Sequence, residues 1–134
     1  MSDVNPPAGF EPLFRSSPFL DHLGPFFMRR NADTTFVVGL RVLPCHANGR
    51  GGAHGGLLMT LCDISLGYRT GTSVEPRPML TTASITTDFA GAARVGRATR
   101  AMGEPESGAT VRKELFEVLR TRLGRLVGHL VLVF

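Results

Sequence analysis

The sequence predicts an α+β domain, in which one long buried helix is wrapped by a run of antiparallel strands and preceded by a short helix, and three observations lead there. The first is the apolar run 57–68. There Leu57, Leu58, Leu61, Ile64, Ser65 and Tyr68 follow helical spacing, and Met59, Cys62 and Leu66 cover much of the remaining circumference, so the helix must be covered on several sides. The second is the alternation of Phe36, Val38, Leu40 and Val42 with Val37, Gly39 and Arg41, the period of a half-buried strand. The third lies after the helix, where segments 79–89, 97–102, 109–120 and 125–134 are rich in strand-forming residues, with turn signals at 91–96, 104–108 and Leu123-Gly124 between them. Segment 109–119 fits helical spacing about as well, through Val111, Leu115, Val118 and Leu119; strand is the preferred reading.

Taken in order, residues 1–12 read as a flexible arm, because Pro6, Pro7, Gly9 and Pro12 deny it a regular element. Residues 13–134 read as a single domain. Leu13, Phe14, Phe19, Leu20 and Leu23 suit a short helix broken near Pro18 and ended by Gly24-Pro25. Segments 26–30 and 34–43 then resemble a hairpin, residues 44–52 form a loop by their glycine content, and the long helix follows until Gly71 and the prolines Pro76 and Pro78.

Composition narrows the function classes. At 134 residues and 43% hydrophobic, the chain can bury an ordinary core, and a net charge of +4 with 19% charged residues favours small anionic partners without demanding nucleic acid. Tryptophan is absent and Tyr68 is the one tyrosine, so stacking platforms for bases are few and no nucleic-acid partner is expected. Cys45 and Cys62 are too few for a disulfide scaffold, and no Cys/His spacing suits a structural zinc ion, so no metal is expected. No charged segment followed by an apolar core opens the chain, and no run approaches the roughly 20 apolar residues of a membrane span. A cytoplasmic protein with no membrane partner is the expectation.

Between Gly51 and Tyr68 the only acidic residue is Asp63, set in the middle of the most apolar helix. A carboxylate there costs several kcal/mol unless it is paired or solvated by a cleft, and such residues are often functional. The plainer alternative is that Asp63 occupies an exposed stripe or bonds to the backbone or to Arg69. At the start of the same helix stands His54-Gly55-Gly56, where the first N–H groups lack intrahelical partners and glycine lets a ligand approach. A carbonyl oxygen placed there is stabilised as it gains negative charge, although the same tripeptide also suits a mere tight turn into a helix. Asp63 lies eight positions after Gly55, about 12 Å along a helix axis. Reacting atoms must approach to roughly 3–3.5 Å, so if both residues serve one substrate, Asp63 must come from a second copy of the helix. The spacing therefore predicts a homodimer with two composite sites.

Asn48, His54-Gly55-Gly56, Leu61 and Asp63 together resemble the pattern Asn-x5-His-Gly-Gly-x4-Leu-x-Asp of hotdog-fold thioesterases of the phenylacetate-pathway (PaaI-like) type. The resemblance extends more weakly from about Phe19 to the C-terminus, through Leu23-Gly24-Pro25, Asp88-Phe89, Arg94-Val95-Gly96 and Gly124-Arg125-Leu126-Val127. It implies a hotdog fold, a curved antiparallel sheet around one long helix, assembled as a dimer of dimers. It implies hydrolysis of an acyl-coenzyme A thioester with no cofactor, coenzyme A being part of the substrate. Carried onto this chain, Gly55 presents its N–H to the thioester oxygen, with His54 and Gly56 shaping the pocket. Asp63 of the partner acts as general base or as nucleophile, and Asn48 orients the loop or the attacking water. Thr82 falls where some relatives place a hydroxyl near that water, with a register uncertain by one against Thr81. Where many relatives carry an acidic residue near position 84 and a proline near 92, this chain has Ser84 and Ala92, which bears on substrate preference.

Two other readings stand beside hydrolysis. A hotdog enoyl-CoA hydratase or dehydratase would use His54 with a carboxylate, and a non-catalytic acyl-CoA binding protein would keep Asp63 only as an interface partner. Arg94, Arg97, Arg100, Arg112, Lys113, Arg120, Arg122 and Arg125 are candidates for phosphate contacts but for the most part read as a solvated basic face. Cys62 reads as a buried apolar residue, and His22, His46 and His129 as structural or surface histidines.

Overall fold

The computed structural model describes residues 4–32, 36–73, 81–89, 91–96, 98–101 and 125–132, which form a mixed α+β arrangement. Its elements are β1 (Glu11–Pro12), α1 (Pro18–Leu23), β2 (Phe26–Arg30), β3 (Phe36–Arg41), α2 (Gly55–Ser73), β4 (Thr81–Phe89), β5 (Ala98–Ala101) and β6 (Arg125–Leu132). A one-turn 3₁₀ helix, Pro44–His46, sits between β3 and α2. The expected strand 109–120 lies outside the described residues.

Proline 18 initiates α1 rather than breaking it. Ser17 is the N-cap, its side-chain oxygen accepting from the Leu20 N–H at 3.3 Å, and Pro18 takes the first helical position, where a missing N–H costs nothing. The helix stops at Leu23, and β2 and β3 follow as the expected antiparallel pair, with Phe26 opposite Leu40 and Met28 opposite Val38. The two-residue β1 extends this sheet on one side and β5 on the other, giving the order β1-β2-β3-β5. Pro12 is thus paired at a sheet edge, one of the places where a strand tolerates proline.

The expectation of strands that are antiparallel throughout needs correction. β4 and β6 form a separate parallel pair, running from Thr81 opposite Arg125 to Phe89 opposite Leu132, with an irregularity between Thr82 and Ser84. Parallel partners need a crossover of a dozen or more residues, and residues 90–124 supply that length.

The core forms where α2 lies against β3, β4, β5 and β6. Leu57, Leu58, Leu61, Cys62 and Leu66 meet Leu20, Phe26, Val38, Leu40 and Val42, with Ala53 and Ala93 closing one end. Val37 and Phe27 are buried as well, so the strands are covered on both faces rather than alternating between core and solvent. Within this chain α2 is covered along one stripe, in which Cys62 and Leu66 belong to the core side, while Met59 stays 38% exposed. The helix runs on through Gly67 and Gly71 and ends at Ser73, between the Gly71 and Pro76 signals expected to stop it.

His46 fastens the loop ahead of α2. Its Nδ1 accepts from the Leu43 N–H at 3.0 Å and its Nε2 lies 2.7 Å from the Leu23 carbonyl, so the neutral ring with its proton on Nε2 bridges α1 and the loop. The His46 carbonyl in turn accepts from the His54 N–H at 2.8 Å. Replacing His46 by alanine removes a buried ring and leaves the part-buried Leu43 N–H and Leu23 carbonyl without these partners, and a loss of about 2 kcal/mol in unfolding free energy is expected from urea denaturation.

Candidate active site

Asn48 closes the loop that delivers the chain to α2. Its Oδ1 accepts from the N–H groups of Arg50 (2.8 Å) and Gly52 (3.2 Å), and its Nδ2 donates to the Ala53 carbonyl at 3.3 Å. Gly51 has φ +78°, a backbone state that glycine adopts without strain, and Asn48 N–H reaches the Gly52 carbonyl at 2.7 Å. The loop is clasped from outside by the segment after β4, for Ala53 N–H donates to the Ala93 carbonyl at 2.8 Å and Gly52 pairs with Arg94. With three of its four side-chain hydrogen-bonding positions engaged, Asn48 holds the loop.

At the helix start, the donors that normally lack partners, Gly55 to Leu57 after the His54 cap, are treated differently. Gly56 N–H donates to His54 Nδ1 at 3.0 Å, so His54 acts as a side-chain cap with its ring proton on Nε2. Leu57 and Leu58 N–H both reach the His54 carbonyl, at 3.0 and 3.4 Å. Among the described residues, Gly55 N–H has no acceptor. A Cβ at Gly55 would meet only the Phe89 ring edge, at 3.7 Å, whereas one at Gly56 would press on His54 Nδ1 at 3.2 Å. Gly55 is therefore the open donor at the positive end of α2, and Gly56 the residue that lets His54 fold over the helix end.

Two turns further along, Asp63 is half-buried on the side of α2 away from the core stripe. Its Oδ1 accepts a short hydrogen bond, 2.5 Å, from the Thr82 hydroxyl on β4. Thr82, not Thr81, is thus the hydroxyl that reaches the carboxylate. One Asp63 oxygen is fixed by this bond, and the residue lines a groove of about 410 Å³ together with Phe19, Met59, Tyr68 and Ile85. Leu58, next to Met59 in sequence, is buried in the core instead, and Phe89 stands beside Gly55. The contribution of α1 to the groove had no signal in the sequence.

The structure brings Asp63 and Thr82 together, and separately Asn48, His54, Gly55 and Gly56, but both groups hang on one helix with about 12 Å of axial rise between Gly55 and Asp63. Cys62, next to Asp63 in sequence, is fully buried, and burial pushes its thiol up to about 11, with the Asp63 charge acting in the same direction. It stays a thiol at neutral pH, which keeps it out of nucleophilic chemistry. Among the described residues no group of three or more His, Cys, Asp or Glu is placed to hold a metal ion, and no helix is long and apolar enough to cross a membrane.

No family model matches the chain. A Pseudomonas aeruginosa protein named "Putative esterase" is 54% identical to it over 93 residues, 69% of this chain and 69% of that protein. Identity at that level over that span means that the chain belongs to the family of that protein. The relative's name is that of a hydrolase, and a carboxylate with an open backbone donor is the equipment hydrolysis of an acyl bond needs.

Proposed function

We propose that the chain is a hotdog-fold acyl-coenzyme A thioesterase whose active site is shared between two copies. The observation that carries this reading is the pairing of Asp63 with the Thr82 hydroxyl, on the same helix whose first N–H, that of Gly55, is left open. The esterase name of the Pseudomonas relative supports hydrolysis, and the thioester is inferred from the sequence pattern of Asn48, His54-Gly55-Gly56 and Asp63.

In this mechanism the thioester oxygen lies against Gly55 N–H of one chain, and the acyl carbon faces Asp63 of the other. A water donates one hydrogen to the free Asp63 oxygen and the other to Thr82 Oγ1, whose own proton is already given to Asp63 Oδ1, so its lone pair points at the carbonyl. As the water attacks, its proton passes to Asp63 and the carbonyl oxygen becomes an oxyanion held by the Gly55 N–H and the helix dipole. Collapse breaks the carbon–sulfur bond, Asp63 returns the proton to the departing thiolate, and the products are a carboxylic acid and free coenzyme A. Asn48 acts through the loop it closes, and His54 by capping the helix.

His54 is ill placed for hydratase chemistry, because its Nδ1 is engaged by Gly56 and its other nitrogen carries the ring proton. The second chain is supported by the surface around each half-site. Phe89 is 47% exposed beside Gly55 and Met59 38% exposed beside Asp63, apolar surface that a partner would cover. The test is thiol release from a panel of acyl-CoAs by wild type and Asp63→Asn.

A further inference from the structure

Strand β4 breaks its own alternation. Successive strand residues point to opposite faces, so the residues that meet one neighbouring element recur at every second position. Read back from the end of β4, Phe89 stands beside Gly55, Thr87 beside the Cys62 thiol, and Ile85 on the groove that Asp63 lines, so the odd-numbered residues face α2. A regular strand would bring positions 83 and 81 to that face next. Thr82 is instead the residue bonded to Asp63.

The pairing with β6 accounts for the change of phase. Ile85 lies opposite Gly128, Ser84 opposite Val127 and Thr82 opposite Leu126, so β4 takes two steps where β6 takes one, and Ala83 is the extra residue. This is a β-bulge, and it exchanges the two faces of the strand for the residues beyond it. Bulges are rare in parallel pairs and over-represented beside active sites. Its place is written in the sequence. Thr81-Thr82 on one side and Ile85-Thr86-Thr87 on the other are β-branched and favour an extended backbone, whereas Ala83 between them is of a type depleted in strands.

We propose that Ala83 is a positioning residue: by taking up one step of β4 as a bulge, it turns the Thr82 hydroxyl onto Asp63. The value of that turn for catalysis rests on the thioesterase reading, in which the hydroxyl both fixes Asp63 Oδ1 and accepts from the attacking water; the turn itself rests on the strand pairing. An unbulged β4 would present alanine to Asp63, with the next hydroxyl on that face, that of Thr81, two residues or about 6.6 Å further along the strand.

Moving the hydroxyl along β4 tests this. On one acyl-CoA, Thr82→Val should lose about 10- to 100-fold in kcat with KM nearly unchanged, the cost of a hydrogen bond to a charged group, and Thr82→Ser should recover most of it. Thr81→Val should match wild type. Thr82→Val combined with Ala83→Thr should stay as slow as Thr82→Val, because a fixed bulge keeps position 83 out of the phase that meets Asp63. Recovery of kcat in the double variant, or a loss in Thr81→Val equal to that in Thr82→Val, would mean that β4 runs regularly and would overturn the role of Ala83. Through-space NMR contacts in isotope-labelled protein answer the same question without substrate, for Asp63 should be in contact with Thr82 and not with Thr81. Contact with Thr81 in place of Thr82 overturns the bulge. Contact with Thr82 in a chain that cleaves no acyl-CoA leaves the bulge standing and overturns the thioesterase reading.

Discussion

Asp63→Asn lowers kcat for thioester hydrolysis by about 10³-fold, within the 10²–10⁴ range of a positioned general base, and leaves KM and the folded state nearly unchanged. The asparagine keeps the size and the acceptor oxygen of the aspartate, so the Thr82 hydroxyl retains its partner and the half-buried site loses no packing. What disappears is the capacity to take the water's proton. An alanine in its place would also strip Thr82 of its acceptor, which is why the amide is the sharper probe. Steady-state thiol release on one acyl-CoA, with circular dichroism on both proteins, checks the result. Equal rates for the two proteins would remove Asp63 from the mechanism.

Gly55→Pro lowers kcat by about 10²- to 10³-fold, as expected when one donor to a developing oxyanion is deleted. Proline is accommodated at the first position of a helix, where its fixed φ suits the turn and its missing N–H breaks no helical bond. Here that position is Gly55, and its N–H has no acceptor among the described residues. Gly55→Ala is the control. It keeps the N–H, and its Cβ meets only the Phe89 ring edge at 3.7 Å, an ordinary contact. Activity that survives in Gly55→Ala and falls in Gly55→Pro isolates the hydrogen bond from the bulk of the side chain. If both variants fall together, steric exclusion at Gly55 explains the loss and the donor role fails.

Much of this arrangement was legible because it is local. The strand period of residues 36–41, the glycine-rich loop and the onset of the apolar helix are each written within a few neighbouring residues, and each element formed close to where the sequence set it. Ser17-Pro18 carried a readable signal as well, a cap followed by a proline at the first helical position, although read as a break it hid the true start of α1. The parallel pairing of β4 with β6 was different in kind. Which strands become neighbours depends on residues far apart in the chain, and the one cue was the continuous apolar stretch at 130–134, the pattern of a parallel strand buried on both faces. The persistence of α2 through Gly67 and Gly71 shows tertiary context overriding local propensity.

At the site, the sequence marked Asp63 through its isolation in an apolar helix, and Gly55 through its position at the helix start. The choice between Thr81 and Thr82 needed a hydrogen bond to decide, since adjacent strand residues point to opposite faces. The loop-closing bonds of Asn48 and the wall that Phe19 adds to the groove depend on how separate elements meet, which no spacing rule reports.

Everything proposed for the chemistry turns on the active site belonging to two chains, and complementation between the two inactive variants tests that most directly. Asp63→Asn and Gly55→Pro chains, co-expressed at equal levels and purified together, pair at random. In each mixed dimer one composite site carries both lesions and the other carries neither. Half of the dimers are mixed and each has one intact site of two, so the preparation should recover about a quarter of wild-type activity. Activity no higher than that of either variant alone would mean that Gly55 and Asp63 serve one substrate within a single chain, and would contradict the shared site.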